Sequence, residues 1–166
     1  GSTFRAVMEL TVDAAMEPCA IPDRAAFLAA WAEERDRQFR EDVPEGREVS
    51  LPQRVGRVLA RIRGMAPPPQ ERRWDDAAAE RLSAQAERDL VVDEYTRAFI
   101  VAMPEPPGVA AMLGRLRAAG FRLGVLSNWP LSVTIERWVA AVGWAPLLDA
   151  VVVSERVGAI KPSPLM

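Results

Sequence analysis

Apolar residues recur at helical spacing through the first hundred residues of this chain. This period places them on one face of an α-helix, where they pack against neighbouring elements. The segments concerned are those with the apolar sets Phe4, Val7, Met8 and Val12; Phe27, Leu28, Trp31 and Phe39; Val55, Val58, Leu59 and Ile62; and Leu82 and Leu90. No strand is predicted before residue 120, and the aromatic residues are predicted to be core positions.

Helix caps mark several boundaries in this helical section. Asp23 and Ser50 each precede an apolar set, and both residue types are favourable N-caps. A further helix is predicted to begin near Asp75 or Asp76 and to run to about residue 102. The breaker-rich stretch "GMAPPPQERRW" before it is predicted to be a loop.

The pattern changes after the prolines of "MPEPPGV". Strands are predicted over 121–126 and 150–154, with two helices that end at Gly120 and Gly143. A strand, a helix and a strand within so short a stretch form a βαβ unit with parallel strands. The continuous apolar run "DAVVVS" is typical of a strand covered on both faces. The predicted fold class is therefore α/β, with residues 1–103 mainly helical and 104–166 a partial doubly wound, Rossmann-like parallel sheet.

Composition excludes several functional classes. The chain has 166 residues, a formal net charge of −2 and cations interleaved with acids, which argues against a nucleic-acid partner. It has no histidine, so histidine-dependent triads and imidazole zinc sites are excluded. A single cysteine, Cys19, excludes an internal disulfide, and no apolar run is long enough to span a membrane. We expect a cytoplasmic protein without a membrane partner, whose oligomeric state the sequence does not indicate.

Candidate chemistry lies where the two predicted strands end. Ser127 and Asn128 follow the first strand, and Lys161 follows the second within "SERVGAIKP". Lys161 is the only lysine, since the other twenty cations are arginine. Carboxyl ends of parallel strands share one edge of the sheet, so these side chains are predicted to meet there and bind an anion. The N-terminus of the next helix, over 131–133, is predicted to assist. The alternative is structural: a Ser-Asn turn and a solvent-exposed lysine.

The segments "GFRLGVLSNWP" and "LDAVVVSERVGAIKPSPLM" together resemble the haloacid dehalogenase-like hydrolase superfamily. They are similar to its second and third motifs, the latter of the form Ser-Glu-x-x-Gly-x-x-Lys-Pro-x-Pro, and cover about residues 104–166. By size and position, the helical section resembles the cap subdomain that such hydrolases insert into their core.

The resemblance implies roles for the three residues. Ser127 would bind the transferring phosphoryl group, the backbone at Asn128 would add a donor, and Lys161 would be catalytic by neutralising charge. It also implies Mg²⁺ as cofactor and a small phosphorylated substrate. The expected function is a magnesium-dependent phosphatase that forms an aspartyl-phosphate in the complete protein.

The sequence departs from the family's pattern in one respect. No Asp-x-Asp-Gly-Thr motif, which supplies the nucleophile in this superfamily, occurs in it. We expect a fragment that does not turn over substrate and that exposes apolar sheet edges. Gly1–Ser2–Thr3 is either the tail of that motif or a cloning remnant.

Three alternatives stay open at this point. One is a 2-haloacid dehalogenase, in which the Ser-Asn pair holds a substrate carboxylate. Another is a non-catalytic fold-mate that binds a phosphorylated ligand. The third is an unrelated two-layer domain, which would place the lysine far from Ser127.

Overall fold

The computed structural model describes residues 2–166, without the side chain of Ser2. Gly1 and that side chain lie outside the described residues, so both interpretations of the Gly1–Ser2–Thr3 start stay predictions. The described chain is mainly helical, with one small parallel sheet near its end. In chain order the α-helices and strands are α1 (Ser2–Ala15), α2 (Arg24–Asp42), α3 (Leu51–Ile62), α4 (Asp76–Glu80), α5 (Gln85–Ala102), α6 (Val109–Ala118), β1 (Gly124–Ser127), α7 (Ser132–Ala141), β2 (Ala150–Val153) and α8 (Ser154–Val157), with short 3-10 turns at Val43–Glu45 and Ala145–Leu147.

Local capping confirms several predicted boundaries. The Asp23 carboxylate accepts hydrogen bonds from the first backbone N–H groups of α2, and the Ser50 hydroxyl accepts one from Gln53 at the start of α3. Gly120 and Gly143 follow α6 and α7 with φ values of 88° and 77°, a left-handed conformation that favours glycine. These boundaries depend on neighbouring residues alone, which explains why the sequence predicts them.

The single helix predicted from about residue 75 to 102 is wrong, because the chain breaks it into α4 and α5. Ala84 is extended, and its N–H donates to the Glu87 carboxylate at 2.7 Å, which caps the new helix. Arg88 donates to the backbone carbonyls of Glu80 and Ser83 and so satisfies the end of α4. No glycine or proline marks this break, so the pattern of residues does not reveal it.

The two strands pair in parallel, and the α/β fold class is confirmed. Gly124 lies opposite Ala150 and Ser127 opposite Val153. The first strand begins at Gly124 instead of residue 121, because the preceding Leu123 N–H donates to the Asp149 carboxylate. Within residues 2–166, β2 is the only strand that pairs with β1, so the other edge of β1 is unpaired.

One hydrophobic cluster of buried side chains joins the helices to the sheet. It extends from Val7 in α1 to Val153 in β2, and α1 packs along α5. The prediction that the aromatic residues are core positions is wrong for Phe4 and Phe39, which are each 45% exposed. Strand β1 is covered on only one face, since Leu126 is also 45% exposed. The predicted boundary between a cap at 1–103 and a core at 104–166 stays a prediction.

Candidate functional site

The end of β1 and the loop after α8 meet through the predicted site residues. The Lys161 ammonium donates to the backbone carbonyl of Leu126 at 2.8 Å, and the Lys161 N–H donates to Asn128 Oδ1 at 2.9 Å. Asn128 Nδ2 completes the contact by donating to the Lys161 carbonyl at 3.5 Å. The lysine is therefore held one residue from Ser127, as the convergence of parallel strands predicts.

These contacts leave capacity for a ligand. An ammonium has three N–H donors, and the carbonyl of Leu126 takes only one of them. Lys161 and Asn128 are exposed, whereas Ser127 is half-buried. Both polar groups of the Asn128 side chain are occupied by the backbone of Lys161, so this side chain positions the lysine.

The predicted assistance from the N-terminus of α7 is wrong. Its first residue, Ser132, donates to the Glu155 carboxylate through both N–H, at 3.1 Å, and Oγ, at 2.5 Å. A carboxylate already neutralises this positive end of the helix, which removes its attraction for another anion. Glu155 lies in α8, directly after β2. The spacing of residues along the sequence does not indicate that Ser132 is its partner.

A segment from the helical half contacts the same edge of the sheet. The Gly46 carbonyl accepts a hydrogen bond from the Ile160 N–H at 3.0 Å. The Ser154 hydroxyl donates to the Glu48 carboxylate and accepts from the Trp129 N–H at 2.8 Å. Glu48 therefore brings a carboxylate to the loops that follow both strands, a feature that sequence analysis missed.

An apolar pocket of about 320 Å³ lies on the covered face of β1. Ser127 is a polar member of its lining, which otherwise consists of Phe99, Met103, Pro104, Pro106, Val125, Ile135, Trp138, Val139 and Trp144. Neither Asn128 nor Lys161 lines this pocket. It therefore suits an apolar group, and Ser127 belongs both to its lining and to the strand end that Lys161 contacts.

Trp129 packs in the interior beside the Ser-Asn pair. Its ring lies 5.8 Å from that of Phe4 and 5.0 Å from that of Phe99, between centroids. Its buried Nε1 has no hydrogen-bond partner within residues 2–166. In the described chain the Trp129 ring thus serves for packing between α1, α5 and the end of β1.

The carboxylates of the described chain do not form a magnesium site. No group of three or more Asp, Glu or Cys side chains in residues 2–166 is placed to hold a metal ion. Glu48 and Glu155, the carboxylates nearest the strand ends, are each engaged by a serine. Asp149 lies at the opposite end of the sheet, before β2, where Arg117 donates to it at 2.6 Å. No helix in this part of the chain is both long and apolar enough to cross a membrane.

Comparison with known proteins gives one match. A family model described as "Hydrolase: haloacid dehalogenase-like hydrolase" matches residues 7–166. Searches of curated proteins and of solved structures gave no match. Because the matched region takes in both the helical half and the strand-end loops, the chain belongs to the haloacid dehalogenase-like hydrolase family.

Proposed function

We propose that the complete protein is a magnesium-dependent phosphatase acting on a small phosphomonoester through an aspartyl-phosphate. The observation that carries this proposal is the Lys161 ammonium, fixed beside Ser127 by its bond to the Leu126 carbonyl. A hydroxyl and an ammonium at one strand end suit a phosphoryl group, whose oxygens gain charge in the transition state.

Each residue then has a separate task. The Ser127 hydroxyl and the backbone N–H of Asn128 donate to phosphoryl oxygens. Lys161 uses its free N–H groups to offset charge on the phosphoryl group and on the attacking carboxylate. The Asn128 side chain keeps Lys161 at the strand end by holding its backbone N–H and carbonyl.

Two components of this chemistry are expected from outside the described residues. The family's nucleophilic aspartate belongs to an Asp-x-Asp-Gly-Thr motif that this sequence does not contain. Bound Mg²⁺ would offset phosphoryl charge, and no group of three or more Asp, Glu or Cys side chains in residues 2–166 is placed to hold it. The 166-residue chain is therefore predicted to bind phosphate esters without hydrolysing them.

The apolar pocket beside Ser127 favours a second candidate, a 2-haloacid dehalogenase. Such a pocket accommodates a halogenated carbon chain, while the Ser-Asn pair would hold the carboxylate. A third candidate is a non-catalytic protein that binds a phosphorylated ligand, and it applies if the complete protein also lacks the nucleophile.

An assay of the complete protein separates these candidates. Generic phosphate esters, with and without Mg²⁺, and 2-chloroacids are offered to the wild type and to Lys161→Met. We expect Mg²⁺-dependent release of phosphate, reduced about 100- to 1,000-fold in kcat/KM by the substitution. Arg97→Met is the matched control, because Arg97 is an exposed cation on α5, and it is expected to leave activity unchanged.

Two results would contradict the proposal. Release of chloride without release of phosphate would establish the dehalogenase. Full phosphatase activity in Lys161→Met would show that the strand-end ammonium takes no part in the reaction.

A further inference from the structure

The Ser154 hydroxyl joins the helical half of the chain to the loop after β1. Ser154 is the first residue of α8, directly after β2, and is fully buried. Its Oγ accepts a hydrogen bond from the Trp129 N–H at 2.8 Å and donates its only hydrogen to the Glu48 carboxylate. The other oxygen of that carboxylate, Oε1, accepts from the Val49 N–H at 2.9 Å. Glu48 is thus connected to the backbone of Trp129 through a single hydroxyl.

This hydroxyl has a second acceptor nearby. The Trp129 carbonyl lies 3.4 Å from Ser154 Oγ, on the same residue whose N–H the hydroxyl accepts. A hydroxyl has one hydrogen, so it donates either to Glu48 or to this carbonyl. The carboxylate is the better acceptor, because a hydrogen bond to a charged group is stronger than one between neutral groups. Without Glu48 the serine would turn to the Trp129 carbonyl, since an unpaired buried donor is costly.

The choice of acceptor affects the residues that are proposed to bind phosphate. The N–H of Trp129 belongs to the peptide group that follows Asn128, and the Asn128 side chain is held by the Lys161 backbone. Asn128 is therefore held on both sides, which limits the rotation of its own backbone N–H. A hydroxyl that donates to a carboxylate also accepts more strongly, because hydrogen bonds in a chain polarise one another. Glu48 thereby strengthens the bond that holds the Trp129 N–H.

The segment that contains Glu48 also contacts the loop after β2. The Gly46 carbonyl accepts from the Ile160 N–H at 3.0 Å, and Ile160 directly precedes Lys161. Gly46 has a φ of 72°, a left-handed conformation that favours glycine. Residues 46–48 belong to no helix or strand, and between them they reach both loops that carry the proposed site residues.

We propose that Glu48 is a positioning residue for the phosphoryl site: through Ser154 it fixes the Trp129 N–H and so orients the Asn128 backbone donor. This rests on the proposed function, in which that donor and Lys161 bind the phosphoryl group. Glu48 acts only through the serine in this role and does not touch the substrate. The helical half then contributes to the affinity of the strand ends for an anion, because a side chain between α2 and α3 holds the loop after β1 in place.

The first measurement follows the hydrogen bond itself. Amide hydrogen exchange of the Trp129 N–H is measured by nuclear magnetic resonance in the isotope-labelled 166-residue chain. The N–H of Val91, a fully buried residue of α5, is the reference for opening of the whole fold. In Glu48→Ala we expect exchange at Trp129 to quicken about 10-fold relative to Val91, the low end for loss of a hydrogen bond to a charged group. Glu48→Gln should quicken it less, because its amide oxygen still accepts from Ser154.

The second measurement is binding of ethyl phosphate to the same chain by isothermal titration calorimetry. Glu48→Ala should weaken binding about 5- to 10-fold, and Glu48→Gln should restore most of the affinity. Ser154→Ala removes the bridge, so the double variant Glu48→Ala/Ser154→Ala should bind no more weakly than Ser154→Ala alone. Glu45→Ala is the control, because this carboxylate lies three residues earlier, is 52% exposed and pairs with Arg47. It is expected to leave both affinity and exchange as in the wild type.

Lys161→Met separates this inference from the proposed function. It should weaken binding of ethyl phosphate and leave exchange at Trp129 unchanged, because the Lys161 backbone still holds Asn128. If Lys161→Met leaves binding unchanged, the proposed function fails, while exchange at Trp129 still tests whether Glu48 fixes the loop.

Three results would overturn the role of Glu48. One is an unchanged exchange rate at Trp129 in Glu48→Ala. Another is quicker exchange without a loss of affinity, in a chain that does lose affinity in Lys161→Met, since the contact would then serve the fold alone. The third is an additive loss in the double variant, because Glu48 would then act by a route other than Ser154.

Discussion

Arg54 and Arg57 lie three residues apart on α3 and are almost equally buried, yet their electrostatic surroundings differ. Arg57 donates to both carboxylate oxygens of Asp76, at 2.6 and 3.1 Å, and to Glu41 at 3.2 Å. Arg54 donates only to the Gln38 amide. Burial by itself lowers the pKa of either guanidinium; it lowers that of Arg54 to about 10, whereas Asp76 and Glu41 outweigh it at Arg57 and leave that pKa raised.

The difference lies in the charged partners that the fold supplies to two cations on one helix. Around Arg57 and Arg61, carboxylates from α2 and α4 fix these helices to α3, and the fully buried Glu34 accepts from Arg61 at 2.9 Å and from the Trp74 indole at 2.8 Å. Every charge there has a partner in the fold. Arg54 has no ion pair among the described residues, and the attraction of the more distant Glu48 carboxylate offsets only part of the effect of burial on its pKa.

The largest expected effect comes from breaking the paired network at Glu34. Glu34→Ala removes the acceptor of both Arg61 and Trp74 and should lower the free energy of unfolding by about 3–5 kcal/mol, the usual cost of removing one member of a buried pair. Urea unfolding followed by circular dichroism measures this change. Glu33→Ala is the control, because Glu33 also pairs with Arg61 but is 65% exposed, and its loss should cost about 0–1 kcal/mol. Equal costs at the two positions would show that burial does not govern the strength of these pairs.

The next effect tests the comparison directly. Arg57→Met leaves Asp76 and Glu41 without their partner and should cost about 2 kcal/mol, less than at Glu34 because Asp76 retains access to solvent. Arg54→Met replaces an unpaired buried cation with an apolar side chain and should change stability by less than about 1 kcal/mol, in either direction. The free energies of unfolding of the two variants, each compared with that of the wild type, test this expected difference. A loss at Arg54 as large as that at Arg57 would mean that pairing with a carboxylate does not govern what these buried cations contribute to stability.

Sequence patterns reveal the parts of this molecule that depend on neighbouring residues or on strand geometry. Asp23 and Ser50 cap helices through contacts within three residues, so the residue types alone predict them. The meeting of Asn128 and Lys161 follows from a general property of parallel strands, because loops after both strands share one edge. For the same reason Asp149, which directly precedes β2, lies at the far end of the sheet.

Features that depend on packing between distant helices are not visible in the sequence. Glu34 belongs to a stretch in which cations and acids are interleaved, which predicts a solvated face, yet Glu34 is buried. Trp31 is buried and packs on Tyr95, whereas Arg35, four residues later on α2, pairs with Asp36 at the surface. Only the way in which α2, α3 and α5 pack decides which cation loses access to water.

The smallest effect concerns an ion pair at the surface, outside the buried network. A hydrogen bond from Arg117, together with the Leu123 N–H, lowers the pKa of Asp149 below its ordinary value of 3.8. A carboxyl whose pKa is lower in the folded state stabilises the fold above its unfolded-state pKa and loses that contribution as the pH falls through the folded value. The stability difference between wild type and Asp149→Asn should therefore be constant above about pH 5 and disappear in more acidic solution. Urea unfolding at several pH values measures it, with the exposed Asp36→Asn as control; a difference that grows as the pH falls would contradict the assigned sign. Because this pair also fixes the start of β1, its loss should loosen the sheet at the end opposite Lys161 and leave ligand binding unchanged.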